Sequence, residues 1–262
     1  MFVKVGLKLF GLVLGALFIF ACKGKENTAT KGVVIEIAHF FENESLRLHR
    51  NYINDFGEQF SVSLLRYYLS NFRLHRADGS EYVVPQEKCY FLVELDKPNS
   101  HRLVLADVPL GEYRSVSFLI GVDSLRNTMN PSQRTGSLDV GGAAEGMYWN
   151  WNTGYIFFKL EGISIASVNG AGIFRYHIGG YGGYSTPTLN NIRSKTIDFG
   201  STPLKVQSHH TAMVHLKFNL AEFFRNPHSL KIADYSDVMF APISAKYADN
   251  CANLFSLDFV HN

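Results

Sequence analysis

The only two tryptophans of the sequence, Trp149 and Trp151, stand two residues apart in a run of aromatic and polar residues. Side chains at i and i+2 of an extended segment point to the same side, so the two indoles would share one face. A large aromatic ring with a polar N–H suits both a protein core and a binding site. The residues by themselves leave two interpretations open: a packing pair in or beside the core, or part of a functional site.

The sequence also contains ten histidines, and the neutral imidazole is a common metal ligand. Three of them stand where a site could form. His39 follows the apolar run of a predicted first strand, His177 precedes two glycines at a predicted strand end, and His261 is the penultimate residue. A structural or surface role is the alternative interpretation for each of the three.

The motifs of common enzyme classes are absent from the sequence. It contains no Gly-x-Ser-x-Gly elbow, no His-Glu-x-x-His motif and no P-loop. The adjacent His209 and His210 are expected at the surface, because neighbouring side chains of an extended segment point in opposite directions. His215 is expected to be structural. We therefore predict a binding protein and not an enzyme.

Charge and cysteine content narrow the class further. The formal net charge of +2 matches the two lysines near the N-terminus, Lys4 and Lys8, so the rest of the chain is neutral. Without a basic surface, nucleic acid is not an expected partner. Cys89 and Cys251 are too far apart in sequence for a zinc knuckle. They are either a disulfide, which an oxidising compartment permits, or two separate buried thiols.

The N-terminus has the pattern of a secretory signal. Lys4 and Lys8 precede a short apolar run that ends at Ala21-Cys22, as in a bacterial lipobox. Residues 1–21 are predicted to be the signal peptide, with Cys22 acylated to anchor the chain in a membrane and residues 22–31 as a flexible tether. An uncleaved membrane helix is the alternative, but the apolar run is shorter than the roughly 20 residues that a span requires. The predicted location is the cell envelope, on the outer membrane.

Residues 32–262 are predicted to form a single, mainly β domain. Short apolar runs alternate with turn residues, which is typical of an antiparallel β-sandwich with immunoglobulin-like layering. A helical turn is predicted at 61–68, long loops at 127–146 and 179–202, and a helix near the C-terminus from apolar spacing between Ile243 and Phe255. Asp123 and Arg126 are expected to form an ion pair that holds the first long loop. Strands are predicted at 33–41, 69–74, 90–95, 102–106, 115–122, 155–161, 172–178 and 211–219.

Several segments resemble the MbnP family of methanobactin-associated copper-binding proteins and related lipoproteins. The most specific is Gly146-Met-Tyr-Trp-Asn-Trp-Asn-Thr-Gly-Tyr-Ile-Phe-Phe-Lys-Leu-Glu-Gly162. The segments 65–71, 120–127, 176–180 and 247–250 are similar to the family as well. The resemblance implies a periplasmic or surface β-sandwich that binds Cu(I). In some members a partner di-haem cytochrome peroxidase oxidises a tryptophan to kynurenine, which helps to bind the metal.

Carried onto this sequence, the resemblance implies a metal site formed by His39, His177, His261 and one oxidised tryptophan. Trp149 matches the first tryptophan of the family motif. Relatives often end in His-x-His, whereas Phe259 stands in the first of those two positions here. The alternative function is a non-metal module that recognises a glycan or a protein through its aromatic and Gly-rich loops, which carry Tyr148, Tyr181 and Tyr184.

Overall fold

The computed structural model describes Met1, residues 30–150 and residues 154–262. Apart from Met1, the predicted signal peptide lies outside the described residues, as do the predicted acylation site Cys22, most of the predicted tether and Trp151. Within the described ranges, no helix is long and apolar enough to cross a membrane.

The described chain consists mainly of strands, which confirms the predicted fold class. In chain order the strands are β1 (Thr30–Phe41), β2 (Glu44–Ser45), β3 (Asn51–Ile53), β4 (Gln59–His75), β5 (Glu81–Val83), β6 (Tyr90–Glu94), β7 (Arg102–Pro109), β8 (Gly111–Tyr113), β9 (Ser115–Ile120), β10 (Tyr148–Trp149), β11 (Gly154–Ser164), β12 (Ile173–Gly179), β13 (Arg193–Asp198), β14 (Leu204–Val206), β15 (Met213–Asn219), β16 (Asp237–Val238) and β17 (Phe255–His261). The α-helices of the described residues are α1 (Ser124–Asn127), α2 (Glu222–Arg225) and α3 (Ser244–Cys251).

Two sheets form the body of the fold. The smaller has five strands in the order β17-β15-β1-β2, with β7 also paired to β1. The larger has ten strands along the path β13-β9-β4-β11-β12-β16, with β3, β5, β6 and β10 paired to its members. Most pairs are antiparallel, as predicted, but the pairs β1–β15 and β12–β16 are parallel.

Strand β4 runs without interruption through the segment where a helical turn was predicted. That prediction, for residues 61–68, is wrong. The consecutive apolar residues Leu64-Leu65 and Tyr67-Tyr68 resemble a helical pattern, yet they arise because both faces of β4 are covered. Pairing with β3, β5, β6, β9 and β11 satisfies the backbone of the strand on both edges.

Two hydrophobic cores lie on opposite faces of the larger sheet. The main core fills the space between the two sheets and contains Tyr67 and Phe158. The second core contains Tyr68 and Phe157, together with Trp149. Successive side chains of a strand point to opposite faces, so each pair of neighbours is divided between the two cores. The first long loop covers the second core, because its residue Leu138 packs there as well.

The two predicted long loops have different outcomes. The first contains the 3-10 turns Pro131–Gln133 and Gly136–Leu138. At its start the Asp123 carboxylate accepts a hydrogen bond from the backbone N–H of Arg126, so the predicted ion pair between these side chains is not what holds the loop. The second predicted loop, 179–202, contains β13, which the sequence analysis missed. The predicted C-terminal helix is confirmed as α3, and β17 follows it at the edge of the smaller sheet.

Candidate functional site

His39 lies on β1 with its side chain turned into the main core. Alternate residues of β1 from Val33 to Phe41 are buried, and His39 itself is 7% exposed. Its Nε2 is 2.8 Å from the hydroxyl oxygen of Tyr67 on β4, and its ring packs against Phe218 on β15. The imidazole is therefore held between the two sheets by contacts with both.

His101 covers this imidazole from the 3-10 turn Pro98–His101, which connects β6 to β7. The ring centroids of His39 and His101 are 4.4 Å apart. Nε2 of His101 is 3.0 Å from the carbonyl oxygen of Glu94, and a carbonyl only accepts, so this nitrogen carries a proton. In the neutral ring Nδ1 of His101 then has a lone pair.

His39 has the chemical state that a metal ligand needs. Burial, with a smaller contribution from His101, lowers the pKa of His39 to about 3, so the imidazole is neutral at neutral pH. Its Nδ1 is buried and has no hydrogen-bond partner in the described structure. If Nε2 donates its proton to Tyr67, this Nδ1 has the lone pair. Metal-bound histidines commonly donate the other ring N–H to an oxygen atom in this way.

His101 was not among the site residues predicted from the sequence. Its neighbours Pro98, Asn99 and Ser100 are turn residues, and nothing in their spacing distinguishes this histidine from a surface residue. Only the packing of the turn against β1 brings it to His39. No local sequence signal would have identified the pair.

His177 lies on β12, on the face of the larger sheet that points away from the main core. Its Nε2 is 2.7 Å from Oε1 of Glu161 on the neighbouring strand β11, and Nζ of Lys159 is 3.5 Å from the same oxygen. The hydrogen bond from His177 makes the largest contribution to the lowered pKa of Glu161. His177 is therefore part of a charged cluster, and it would have to leave Glu161 to bind a metal through Nε2.

Trp149 is 5% exposed and belongs to the second core. Its indole lies against the backbone of Gly179 at the end of β12 and edge-on to Phe240, with ring centroids 6.0 Å apart. Gly179 and His177 are two residues apart on β12, so they share a face of the sheet. Trp149 is thus on the side of the sheet that carries His177 and not on the side of His39. The second tryptophan, Trp151, lies outside the described residues.

His261 is exposed near the end of β17, where its cross-strand neighbour is Met213. Two residues earlier, Phe259 stacks on the ring of His215, with centroids 4.0 Å apart and an interplanar angle of 17°. Nδ1 of His215 is 3.1 Å from Oε2 of Glu36. Phe259, which stands where a His-x-His ending was expected to have its first histidine, therefore packs on His215. His209 and His210 are exposed, as predicted.

The three predicted histidines do not converge. His39, His177 and His261 lie on β1, β12 and β17 and have different neighbours. No group of three or more His, Cys, Asp or Glu side chains in the described ranges is arranged to hold a metal ion. The arrangement that fits a metal best is the pair of His39 and His101, because two imidazoles are in contact there and Nδ1 of His39 is buried without a partner.

The two cysteines are separate, so the disulfide interpretation is wrong. Cys89 precedes β6 and Cys251 ends α3, and both are free and buried. Burial raises the pKa of both thiols, which keeps them protonated and unreactive. The alternative interpretation of two buried apolar thiols is the one that the structure supports.

Comparisons with known proteins agree with this fold. The family model MbnP matches residues 30–240, well over half of the chain. The solved structure of MbnP from Methylosinus trichosporium aligns with a TM-score of 0.60 and 15% sequence identity, over 87% of this chain and 98% of that chain. At this identity the structural match supports the fold alone. No curated protein sequence matches the chain. By the match of its sequence to the family model, the chain belongs to the MbnP family.

Proposed function

We propose that this protein is a copper-binding lipoprotein of the cell envelope, and that His39 and His101 hold Cu(I). Membership of the MbnP family supports a copper-related role. The observation that carries the proposal is Nδ1 of His39, a buried nitrogen with no partner, beside a second imidazole. Burying a polar atom without a partner is costly, and a bound ion would remove that cost.

The ligands suit copper better than a hard cation. Imidazole is a good ligand for copper, whereas Mg²⁺ and Ca²⁺ prefer carboxylate and carbonyl oxygens. His39 is neutral, so it can bind an ion without first losing a proton at neutral pH. Copper in this position would be held between the two sheets, and the protein would serve to sequester or deliver the ion.

Kynurenine formation is a separate proposal that rests on the resemblance to the family. A partner di-haem cytochrome peroxidase would oxidise Trp149 or Trp151. Because Trp149 is in the second core, a kynurenine there would lie on the side of the larger sheet that carries His177 and not on the side of His39. Anchoring of the mature chain to the outer membrane through Cys22 also rests on the sequence pattern.

An anaerobic Cu(I) titration of the mature protein against a competing chelator tests the copper proposal. We expect one copper ion per chain, with the affinity lowered more than about 100-fold by His39→Gln or His101→Asn. Loss of a direct ligand should cost more than loss of an outer partner, which typically costs 10–100-fold. Tyr67→Phe, which removes the partner of His39 Nε2, should lie in that lower range.

His209→Asn and His210→Asn are the matched controls, because these histidines are exposed. Their affinities should equal that of the unmodified protein. Copper binding that survives both His39→Gln and His101→Asn would contradict the assigned ligands.

Peptide mass spectrometry of protein made with its native neighbouring genes would detect oxidation of Trp149 or Trp151, and two unmodified tryptophans would contradict the kynurenine proposal.

A second candidate function is glycan binding by the loops. Tyr148 and Tyr184 line one cavity of about 420 Å³ together with Thr128 and Asn130. Aromatic rings stack on sugars, and the polar side chains could donate and accept hydrogen bonds. Tyr181, which was also predicted for this role, is buried and does not line the cavity. A glycan array probed with the unmodified protein and with Tyr184→Ala would test this candidate. Glycan binding requires that the unmodified protein binds a glycan on the array and that the substitution abolishes this binding.

A further inference from the structure

A second cavity, of about 230 Å³, lies between the first long loop and β6. Two arginines of the loop region, Arg126 and Arg134, line it together with Tyr90, Glu87 and Lys88. The cavity is on the outer side of the larger sheet, because Leu138 of its wall belongs to the second core. It is therefore distinct from the His39–His101 pair in the main core.

Arg134 is a buried cation without a carboxylate partner. The residue is 5% exposed, and its Nε and Nη2 donate to the backbone carbonyl oxygens of Met129 and Asn127. The guanidinium also lies over the rings of Tyr148 and Tyr155, at 4.8 and 5.1 Å from their centroids. Its Nη1 has no hydrogen-bond partner, and no carboxylate of the described residues is within ion-pair distance.

Arg126 contributes a second incompletely paired guanidinium to the same cavity. Its Nε is buried without a partner. The only acid at its guanidinium in the described chain is Glu87, at 3.4 Å, and the Glu87 side chain is 77% exposed. Asp123 accepts hydrogen bonds from the Tyr90 hydroxyl and from the backbone N–H of Arg126, and it forms no ion pair with this guanidinium in the described structure.

We propose that this cavity binds a small oxyanion, either a carboxylate or a phosphate group, between Arg126 and Arg134. Guanidinium groups bind these anions through charge-assisted hydrogen bonds, which are about twice as strong as neutral ones. Each arginine has a buried N–H without a hydrogen-bond partner, and no described carboxylate forms an ion pair with Arg134. The cavity volume is below the range of roughly 300–1,000 Å³ that is typical of drug-sized ligands, which indicates a small ligand.

Isothermal titration of the mature protein at low ionic strength tests the proposal, with inorganic phosphate and acetate as separate probes. We expect saturable binding of at least one probe at one site per chain, and the probe that binds more tightly identifies the chemistry. Arg126→Gln should weaken binding by about tenfold or more, since it removes a charged donor. Glu87→Gln should tighten it, because the carboxylate of Glu87 competes with the ligand for Arg126.

Arg50→Gln is the matched control, since Arg50 is an exposed arginine paired with Glu44 at 2.5 Å. Its affinity should equal that of the unmodified protein. Arg126 is the preferred test position because Arg134 holds the loop and its loss could unfold the wall of the cavity. Absence of saturable binding with both probes would overturn the proposal. An equal loss with Arg50→Gln would also overturn it, since the binding would then reflect only overall charge.

Discussion

The indole of Trp149 lies directly against the backbone of Gly179. A Cβ built on Gly179 would be 2.7 Å from Cζ3 of the indole and 2.5 Å from the carbonyl oxygen of Tyr155. Glycine is therefore needed here so that the indole can pack on β12. The first of the two glycines that follow His177 in the sequence thus makes room for a tryptophan.

Gly179→Ala should destabilise the protein by about 1–3 kcal/mol, because the added methyl group would force the indole or the backbone to move. Chemical denaturation measures the free energy of unfolding, and the fluorescence spectrum reports the displaced indole. Gly170→Ala is the control, since a Cβ on Gly170 meets no atom within 4 Å. A stability for Gly179→Ala equal to that of the control would contradict the packing.

The buried imidazole of His39 should make stability depend on pH. Its pKa is lowered from 6.5 to about 3 in the folded protein, so below pH 6.5 the unfolded chain binds a proton that the folded chain does not. The contribution of the neutral His39 imidazole to the free energy of unfolding is therefore fully present above pH 6.5 and is lost as pH falls towards 3. Between pH 7 and pH 4.5 the loss should be roughly 2–3 kcal/mol.

Urea denaturation at several pH values measures this dependence. The difference in unfolding free energy between the unmodified protein and His39→Gln should shrink by that amount as pH falls over this range. Carboxylates titrate alike in both proteins and cancel in the difference. His209→Asn, at an exposed histidine, should show the pH dependence of the unmodified protein. A constant difference between the unmodified protein and His39→Gln would argue against a buried neutral imidazole.

Arg134→Lys should destabilise the protein by roughly 2–4 kcal/mol, since a lysine cannot reproduce the fork of donors to Met129 and Asn127. The first long loop should then become more sensitive to proteases. Limited proteolysis with mapping of the cleavage sites, together with denaturation, checks both effects. Arg114→Lys is the control at an exposed arginine. Cleavage rates that are the same for both substitutions would contradict a role of Arg134 in holding the first long loop.

Cys89 and Cys251 should behave as two buried thiols. In a Cys22→Ser variant, which removes the other cysteine, a thiol reagent should label neither residue quickly in the folded protein and both in denaturant. Burial explains the slow reaction, because it raises the pKa of each thiol and blocks access. A reducing agent should leave the melting temperature unchanged. A chain that is labelled only after reduction would indicate a disulfide.

Much of the fold could be predicted from local sequence patterns. The alternation of apolar residues predicts eight of the ten described strands of five residues or more, and the spacing from Ile243 to Phe255 predicts α3. The failures have physical causes. The double apolar runs of β4 suggested a helical turn because the sequence does not show that both faces of the strand are covered. Strand β13 was missed because its burial alternates weakly, with only Ile197 buried.

The sequence by itself determined the family and the β architecture, because motif segments such as Gly146–Gly162 and the alternation of side chains are properties of neighbouring residues. It also identified His39 and Trp149 as residues of interest. Only the tertiary structure decided their neighbours. Pairing of β11 with β4 and β12 divides the aromatic residues between two faces, which separates Trp149 from His39. Packing of the turn before β7 against β1 places His101 on His39, because contacts between distant segments depend on how the sheets assemble and not on local sequence.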